Sequence, residues 1–517
     1  MSLKELDAVF SRLPGGWEIN ASLPDDFLHI WKERLSPVEK KDVGVNWMEF
    51  TADLSEIRLR GTDESHCLLV SGSPRQAEAA LRNFLTRVNA GGRLLFVLPV
   101  SAAATAVAQS AADWASAFVL VDLNALIGVL GADNWKAILS GFIRRALPLR
   151  ALIAFDIALS AQGSMFYGRG DELDRLRDEV KVNFAIAGPG KIGKTSLVKQ
   201  YHNNLKRKKK ASTTFYVDFY ELTDRSATHW PRHLAMKVDA NSMSDRVTLA
   251  DFPNFIRRLR TKLDGQPPTL ILDEMDEIVS QGENIKQLLA SIEKQELCRY
   301  IFCGRGELYK AARNSATGLG GRFRLMRLEP LDDQAARRLF LEPLEALGIS
   351  IENREKTVDF VLRLTGRLPQ LIQFYGQNLA EIAAKAQIGT INQEHIDKLN
   401  SDFETAQYFT SPLEDLSSPE TKLIAYALLQ TEHSHVTPAV LQSLTGRNRV
   451  EFSIEDLKRI CDELVIMNVL TWTADSYQLA NQALRHYSRQ FGYLDKALSR
   501  AREQVWKKRG VSPTVTH

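Results

Sequence analysis

The first third of the chain alternates between apolar runs and stretches with a helical spacing of apolar residues. Apolar runs at 66–73, 92–99 and 117–123 predict three strands. The intervening stretches, 75–89 and 102–116, repeat apolar residues every three or four positions and predict helices. Strands that alternate with helices in this way predict a small parallel α/β domain.

The middle of the chain continues this alternation with runs that are apolar almost throughout. Residues 183–187, 269–273 and 299–303 are such runs, and they suit parallel strands that are buried on both faces. A glycine-rich turn follows the first run, and a helical pattern begins at Gly193. Open α/β sheets bind ligands at the carboxyl ends of their strands, so we expect a site at this turn.

Residues 412–492 show a third pattern, in which three helical stretches precede two short strands. Ser418 and Pro419 begin the first helix as cap and first-turn proline. The stretch 469–479 predicts a hairpin. Three helices followed by a hairpin predict a winged helix, and the basic residues after it predict a helical tail.

Composition narrows the class of protein. At 517 residues the chain has room for about three or four domains. A formal net charge of +3 gives no global argument for binding nucleic acid. The 4 cysteines form no C-x-x-C pair, so neither a zinc site nor a disulfide framework is expected.

The first residues do not form a signal peptide. The most apolar stretches, 115–132 and 147–161, are short for a bilayer and contain Asp122 and Asp156, so we interpret them as core segments. We expect a cytoplasmic protein without a membrane partner.

The glycine-rich turn carries the strongest chemical signal in the chain. Residues 188–195 match G-x-x-x-x-G-K-[ST] at every fixed position, between a predicted strand and a predicted helix. In this setting backbone N–H groups converge on phosphates, the lysine adds a positive charge and the hydroxyl ligates Mg²⁺. The pattern therefore predicts ATP and Mg²⁺ as cofactors. The predicted nucleotide contacts here are Gly188, Pro189, Gly190, Lys191, Ile192, Gly193, Lys194, Thr195 and Ser196, with Thr195 also a metal ligand.

The strand at 269–273 ends in a cluster of carboxylates. Asp273 is the candidate partner of Mg²⁺, and Glu274 is the candidate general base that activates water for hydrolysis. Asp276 and Glu277 are either further site residues or the polar start of the next helix. We favour the helix start, because acidic residues are common in a first helical turn.

Upstream of the turn, Phe166-Tyr-Gly-Arg-Gly-Asp-Glu-Leu resembles the segment that opens STAND-class ATPases and archaeal and origin-recognition initiator ATPases of the AAA+ lineage. The resemblance implies that this segment packs against the nucleotide base and ribose, with Tyr167 and Arg169 as contacts. A helix start capped by Asp171 is the alternative interpretation, and both can hold. The resemblance also implies an α/β fold, with a P-loop NTPase core, a helical lid and a winged helix behind a small α/β domain.

Two further positions match the same families. Arg305, just after the strand 299–303, is similar to the first sensor of AAA+ proteins, and a surface-loop arginine is the alternative. Gly366-Arg-Leu-Pro369 is similar to the lid motif of STAND proteins whose proline touches adenine, although it has one extra residue. The resemblance thus adds Arg305 as a catalytic residue and Pro369 as a nucleotide contact.

Two segments give weak indications of nucleic-acid cleavage or binding. The N-terminal region faintly resembles restriction-endonuclease-like domains, but Asp53 and Glu56 are followed by Arg58, where that family needs lysine. We therefore expect a scaffold or docking domain. The basic run 206–210 more simply ends a helix than binds a duplex.

Together these patterns predict five parts: 1–160, an α/β domain; 163–345, the ATPase core; 346–411, the lid; 412–492, the winged helix; and 493–517, a basic tail. The predicted function is that of an ATP-binding and ATP-hydrolysing STAND-like switch, in bacterial regulation or defence, that self-associates or binds a protein partner. The alternatives are a DNA-binding initiator or loader ATPase and a nucleotide-dependent endonuclease. The acidic residues of the third helix at 454–464 weigh against DNA.

Overall fold

The structure is a computed structural model of the chain, and several segments of the sequence lie outside what it describes. The predicted hairpin turn near residue 474 and part of the basic run 206–210 belong to those segments. The described residues are 23–88, 93–111, 118–207, 213–222, 229–239, 247–248, 250–280, 298–317, 319–414, 416, 418–432, 436–448, 450–472, 476–480 and 482–510.

The N-terminal domain is a five-stranded sheet in the order β1-β2-β3-β4-β5. Its strands are β1 (Val38–Val43), β2 (Trp47–Ala52), β3 (Ser65–Val70), β4 (Leu95–Pro99) and β5 (Val119–Leu120). Its helices are Leu23–Arg34, Pro74–Arg87, Ala102–Ser110, Leu123–Gly131, Trp135–Ala146 and Leu149–Leu152.

The prediction of a parallel sheet holds for only part of this domain. Strands β3, β4 and β5 are parallel, as expected, but β1 and β2 add two antiparallel strands. The three residues between β1 and β2 are too few for a crossover, so these strands must form a hairpin. Strand β1 has no apolar pattern to reveal it, because five of its six residues are exposed.

The second domain is built on a parallel sheet in the order β10-β6-β9-β8-β7. Its strands are β6 (Asn183–Ala187), β7 (Thr214–Asp218), β8 (Thr269–Asp273), β9 (Arg299–Gly304) and β10 (Phe323–Arg327). Its helices are Gly170–Asp178, Lys194–Arg207, Trp230–Val238, Phe252–Lys262, Asp276–Ser280 and Gly306–Arg313. Strand β9 lies between β6 and β8, so the ends of these three strands meet at one edge of the sheet.

A helical region follows, and it packs on both the core and the N-terminal domain. Its helices are Asp333–Ala346, Arg354–Thr365, Pro369–Ala386, Gln393–Asn400 and Phe403–Thr410, with β11 (Ser350–Ile351) paired to β12 (Thr390–Ile391). One apolar cluster runs through all three regions and includes Phe50, Phe184 and Tyr375. The N-terminal domain and the lid are therefore joined by a continuous core.

The C-terminal region has the predicted helices and hairpin. Its elements are Pro419–Gln430, Pro438–Arg447, Ile454–Ile466, β13 (Leu470–Trp472), β14 (Tyr477–Leu479), Gln482–Arg489 and Tyr493–Arg509. Strands β13 and β14 are antiparallel. The last helix contributes Leu494, Leu498 and Val505 to the core of this region, so it packs there as an integral helix.

Among the described residues, no helix is long and apolar enough to cross a membrane. The four cysteines are free and buried. The apolar stretch 147–161 was expected to be a core segment, but its second half is an irregular segment in which Leu159 is 71% exposed.

Candidate functional site

A cleft of about 460 Å³ lies at the carboxyl ends of the core strands, beneath the first turn of helix Pro369–Ala386. It brings together residues that were predicted from five separate parts of the sequence. Of the predicted site residues, the cleft is lined by Tyr167, Arg169, Gly190, Lys191, Ile192, Gly193, Lys194, Thr195, Ser196, Glu274, Arg305 and Pro369. Gly188, Pro189 and Asp273 lie just behind this lining, in contact with it.

The phosphate loop has the backbone that its sequence predicts. Gly193 has a φ of +96°, which only glycine adopts without strain. Lys194 is buried, and its Nζ donates to the carbonyl oxygens of Gly188 and Pro189 at 3.0 and 2.9 Å. Burial lowers the pKa of Lys194, and the nearby Glu274 carboxylate acts in the opposite direction. The lysine is thus held inside the loop by oxygen acceptors.

Arg169 fastens the phosphate loop to the body of the domain. Its side chain is buried, and one terminal nitrogen donates to the carbonyl oxygens of Ile192 and Glu329, at 3.3 and 2.6 Å. The other terminal nitrogen pairs with Glu172 at 3.1 Å. Arg169 therefore acts on the loop backbone, and its predicted contact with a nucleotide stays a prediction.

Tyr167 joins the cleft to the N-terminal domain. Its hydroxyl donates to Glu342 Oε2 at 2.9 Å. The guanidinium carbons of Arg58 and Arg338 lie 4.8 and 5.7 Å from its ring centroid, within cation–π range. Its predicted contact with a purine stays a prediction, but its contact with Arg58 gives the N-terminal domain a direct connection to the cleft.

The two carboxylates at the end of β8 differ in environment. Asp273 is buried, its Oδ2 accepts from the Tyr216 hydroxyl at 3.0 Å, and its Oδ1 accepts from the Glu274 N–H at 3.0 Å. Glu274 faces the cleft with a φ of +57°, a left-handed conformation that is uncommon for residues other than glycine. Burial raises the pKa of Glu274, while Arg305 and Lys194 lower it.

The oxygen donors at this end of the cleft fit Mg²⁺, which prefers carboxylate, hydroxyl and phosphate oxygens. Thr195 lines the cleft, and the Asp273 carboxylate accepts from two neutral donors, the Tyr216 hydroxyl and the Glu274 N–H. These two residues would hold the ion together with the phosphates of a bound nucleotide.

Arg305 follows β9, lines the cleft together with Glu274, and lies close enough for its charge to act on that carboxylate. Its backbone N–H donates to Asp276 Oδ2 at 2.6 Å. Asp276 begins the short helix Asp276–Ser280, as the sequence predicted, but its carboxylate turns back toward the loop that carries Arg305. Sequence reasoning could not detect this second role, because the two residues meet only through sheet pairing.

The lid and the segment before it supply residues that the sequence did not reveal. Gln370 Nε2 donates to the carbonyl oxygen of Ile157 at 2.9 Å, and Gln373 Oε1 accepts from the Asp156 N–H at 3.3 Å. These contacts hold residues 156–161 along the wall of the cleft. In the sequence, these contacts could have been inferred only from the two glutamines, which lie three positions apart in an otherwise apolar helical pattern. Asp218 at the end of β7 and Lys199 also line the cleft.

Lys191 reaches out of the phosphate loop to the far end of the lid. Its Nζ donates to the Tyr408 carbonyl oxygen at 3.0 Å and to Ser411 Oγ at 2.6 Å. The same ammonium lies 3.7 Å from the Tyr408 ring centroid, and that ring stacks on Phe374 at 4.0 Å. The Lys191 carbonyl oxygen accepts from the Gln370 N–H at 3.4 Å. The side-chain ammonium and the backbone carbonyl oxygen of Lys191 thus both contact the helical region.

The three residues behind the weak nuclease resemblance, Asp53, Glu56 and Arg58, do not form a nuclease site. Glu56 lies in a 3-10 turn, Ser55–Ile57, instead of on a strand, and it pairs with Lys136. Arg58 follows the turn and pairs with Glu342 at 3.3 Å. The Asp53 carboxylate accepts from the Ser55 N–H. The three residues therefore serve local structure and the contact between domains.

Comparisons with known proteins find the following similarities. The family model for an AAA domain matches residues 179–311. The Walker-type ATPase PABY2304 of Pyrococcus abyssi superposes with a TM-score of 0.51 at 13% identity, over 65% of this chain and 99% of that one. The Aeropyrum pernix Orc1 protein, solved in complex with DNA, gives 0.36 at 15% identity, over 66% and 94%. Cdc6p from Pyrobaculum aerophilum gives 0.33 at 12% identity, over 65% and 94%.

A search of curated protein sequences finds no match for the chain. At 13% identity, the similarity to the Pyrococcus protein concerns the fold alone. The fold prediction is confirmed: the chain has an α/β fold with a parallel-sheet P-loop NTPase core of the AAA+ type.

Proposed function

We propose that this protein is an ATP-dependent molecular switch, similar to STAND ATPases, that binds and hydrolyses Mg·ATP in the cleft. The AAA domain match and the lining of the cleft support ATP binding. The observation that carries the switch is the contact of Lys191 with Tyr408 and Ser411. It joins the loop expected to hold the phosphates to the segment that leads into the C-terminal region.

The chemistry follows from the charges around the cleft. Lys194 and Arg305 offer two cations where the phosphates of ATP carry negative charge, and preorganised charge of this kind stabilises phosphoryl transfer. Glu274 is the carboxylate that accepts a proton from the attacking water. Bound Mg²⁺, held by Thr195 and Asp273, would neutralise phosphate charge and orient the triphosphate.

The nucleotide would act on the lid through two routes. Lys191 connects the phosphate loop to residues 403–413, and Pro369 begins the helix that covers the cleft. A ligand shifts a conformational equilibrium only if it binds the two states with different affinity. ATP and ADP differ in the γ-phosphate, which Arg305 would contact, so exchange of one for the other would reset this linkage.

We interpret the C-terminal region as a winged helix that contacts the protein itself or a protein partner. Its third helix, Ile454–Ile466, approaches the ATPase core, since Arg327 donates to the Val465 carbonyl oxygen at 3.5 Å. Exposed residues of this helix include Glu455, Lys458, Arg459 and Asp462. Equal numbers of acidic and basic groups give little attraction for a phosphate backbone.

An initiator or loader ATPase that binds DNA through this region is the alternative. Titration of the protein with a labelled duplex at increasing salt separates the two, because DNA binding by phosphate contacts weakens steeply with salt. The proposed switch requires Mg-dependent ATP binding measured by calorimetry, phosphate release, and different protease protection with ATP and with ADP. Identical protection with both nucleotides would contradict it. As a STAND-like protein, it would act in the cytoplasm, in bacterial regulation or defence, through self-association or a protein partner.

A further inference from the structure

Asp276 makes three hydrogen bonds to the backbone of the segment that carries Arg305. Its Oδ2 accepts from the Arg305 N–H at 2.6 Å. Its Oδ1 accepts from the N–H groups of Glu307 and Leu308, at 3.0 and 3.2 Å. Helix Gly306–Arg313 has no side-chain cap from Arg305 at its own start. A carboxylate from another element therefore supplies the acceptors that the first turn of a helix needs.

Close packing fixes this carboxylate relative to the end of β9. A β carbon on Gly304 would lie 2.8 Å from Asp276 Oδ2 and 2.8 Å from the Leu308 β carbon. The Met275 N–H donates to the Cys303 carbonyl oxygen at 2.9 Å. Met275 and Asp276, which follow β8, are thus attached to the end of β9 and to the residue after it, and a β carbon at Gly304 would clash with this contact.

Asp276 lies two residues after Glu274, and it does not line the cleft. One short segment therefore carries the candidate base and also holds the backbone of the candidate γ-phosphate sensor. We propose that Asp276 is a positioning residue, which sets where the Arg305 guanidinium lies relative to Glu274. This inference rests on the proposed ATPase function and adds a residue to that site.

The inference predicts that substitution of Asp276 affects the binding and hydrolysis of ATP much more than the binding of ADP. Asp276 acts on Lys194 as a nearby charge, while the Lys194 ammonium stays hydrogen-bonded to the carbonyl oxygens of Gly188 and Pro189, so affinity for ADP should change little. Loss of the acceptors would free the Arg305 backbone, and the stabilisation that depends on its position would fall. A charge-assisted hydrogen bond of this kind corresponds to roughly tenfold or more in an equilibrium or rate.

The test uses the full-length chain with Asp276→Ala, Asp276→Asn, Arg305→Ala and the double variant Asp276→Ala/Arg305→Ala. Glu277→Gln is the matched control, since it removes the same charge from the exposed neighbouring position in the same helical turn. The measurements are kcat for ATP hydrolysis and the ratio of the dissociation constants for ADP and a non-hydrolysable ATP analogue.

We expect Asp276→Ala to lower kcat by about tenfold or more, and to reduce the preference for the ATP analogue, with ADP affinity within about twofold of wild type. Asp276→Asn keeps one acceptor oxygen and should lie between Ala and wild type, and it carries the test if the Ala variant does not fold. In the double variant, Asp276→Ala should add little to Arg305→Ala, since both act through one group.

Wild-type kcat in both Asp276 variants would overturn the inference. So would losses that multiply in the double variant, or an ADP affinity that falls as far as the affinity for the analogue. A wild-type protein that neither binds nor hydrolyses ATP would overturn the proposed function and this inference together. Normal ATP turnover with unchanged Asp276 variants would overturn the inference alone.

Discussion

The ammonium group of Lys191 lies 2.6 Å from the hydroxyl oxygen of Ser411, 220 positions further along the chain. Lys191 belongs to the phosphate loop, and Ser411 begins the turn that joins the lid to the C-terminal region. The predicted contact of Lys191 with the nucleotide stays a prediction, and Lys191 lines the cleft. Its contact with Ser411 connects the phosphate loop to the turn that precedes the C-terminal region.

Replacing Lys191 with Met should separate these two parts while the length of the side chain is kept. We expect hydrogen exchange across residues 403–413 to increase and to become the same with ATP and with ADP. Ser411→Ala removes one of the two acceptors of the Lys191 ammonium and leaves the Tyr408 carbonyl oxygen, so it should reproduce part of this effect. Exchange that still distinguishes the two nucleotides in Lys191→Met would show that the signal takes another route.

Replacing Lys194 with Ala tests the phosphate loop. The loss of a charge-assisted hydrogen bond of about 1.5–3 kcal/mol should weaken Mg·ATP binding by at least about tenfold. Calorimetric titration measures this, and circular dichroism verifies the fold. Lys206→Ala, at the exposed far end of the same helix, removes an equal charge and should bind ATP as the wild type does. Equal affinity in both variants would mean that the loop does not hold the phosphates.

Replacing Glu274 with Gln tests the general base. The amide keeps the shape of the side chain but cannot take a proton, so kcat should fall by about 10²- to 10⁴-fold while Mg·ATP still binds. Phosphate release and nucleotide retention on a filter measure the two effects. If turnover stays at the wild-type level, another group activates the water.

The pH dependence of kcat should reveal the environment of Glu274. Its burial raises the pKa above the ordinary value of 4.5, and Arg305 lowers it. A base works when deprotonated, so kcat should be lost as pH falls through this raised pKa. Arg305→Ala removes the lowering cation and should move the acid limb of the profile to higher pH. A limb that stays in place in this variant would contradict the assignment.

Local chemistry explains why the phosphate loop and the carboxylate strand were predictable. The glycine-rich turn 188–195 and the end of β8 consist of residues that are adjacent in the sequence, so their patterns are sufficient to locate them, while the roles of these residues stay predictions. The wall formed by residues 156–161 has no such pattern, because it is held by Gln370 and Gln373 of a distant helix. The same holds for Asp276, whose partners come from the neighbouring strand. Strand β1 was missed because an exposed strand need not carry an apolar pattern.

That exposed strand protects the edge of its sheet against aggregation. Within the described part of the chain, strand β1 is the edge of its sheet, and it carries Glu39, Lys40, Lys41 and Asp42 in succession, whereas its neighbour β2 is almost completely buried. An unprotected strand edge is a template for pairing with another chain, and charged side chains discourage it. At the opposite edge, β5 has only two residues. Removal of residues up to 44 would leave β2 as the edge and would also remove helix Leu23–Arg34 from Phe50, so such a shortened chain should aggregate.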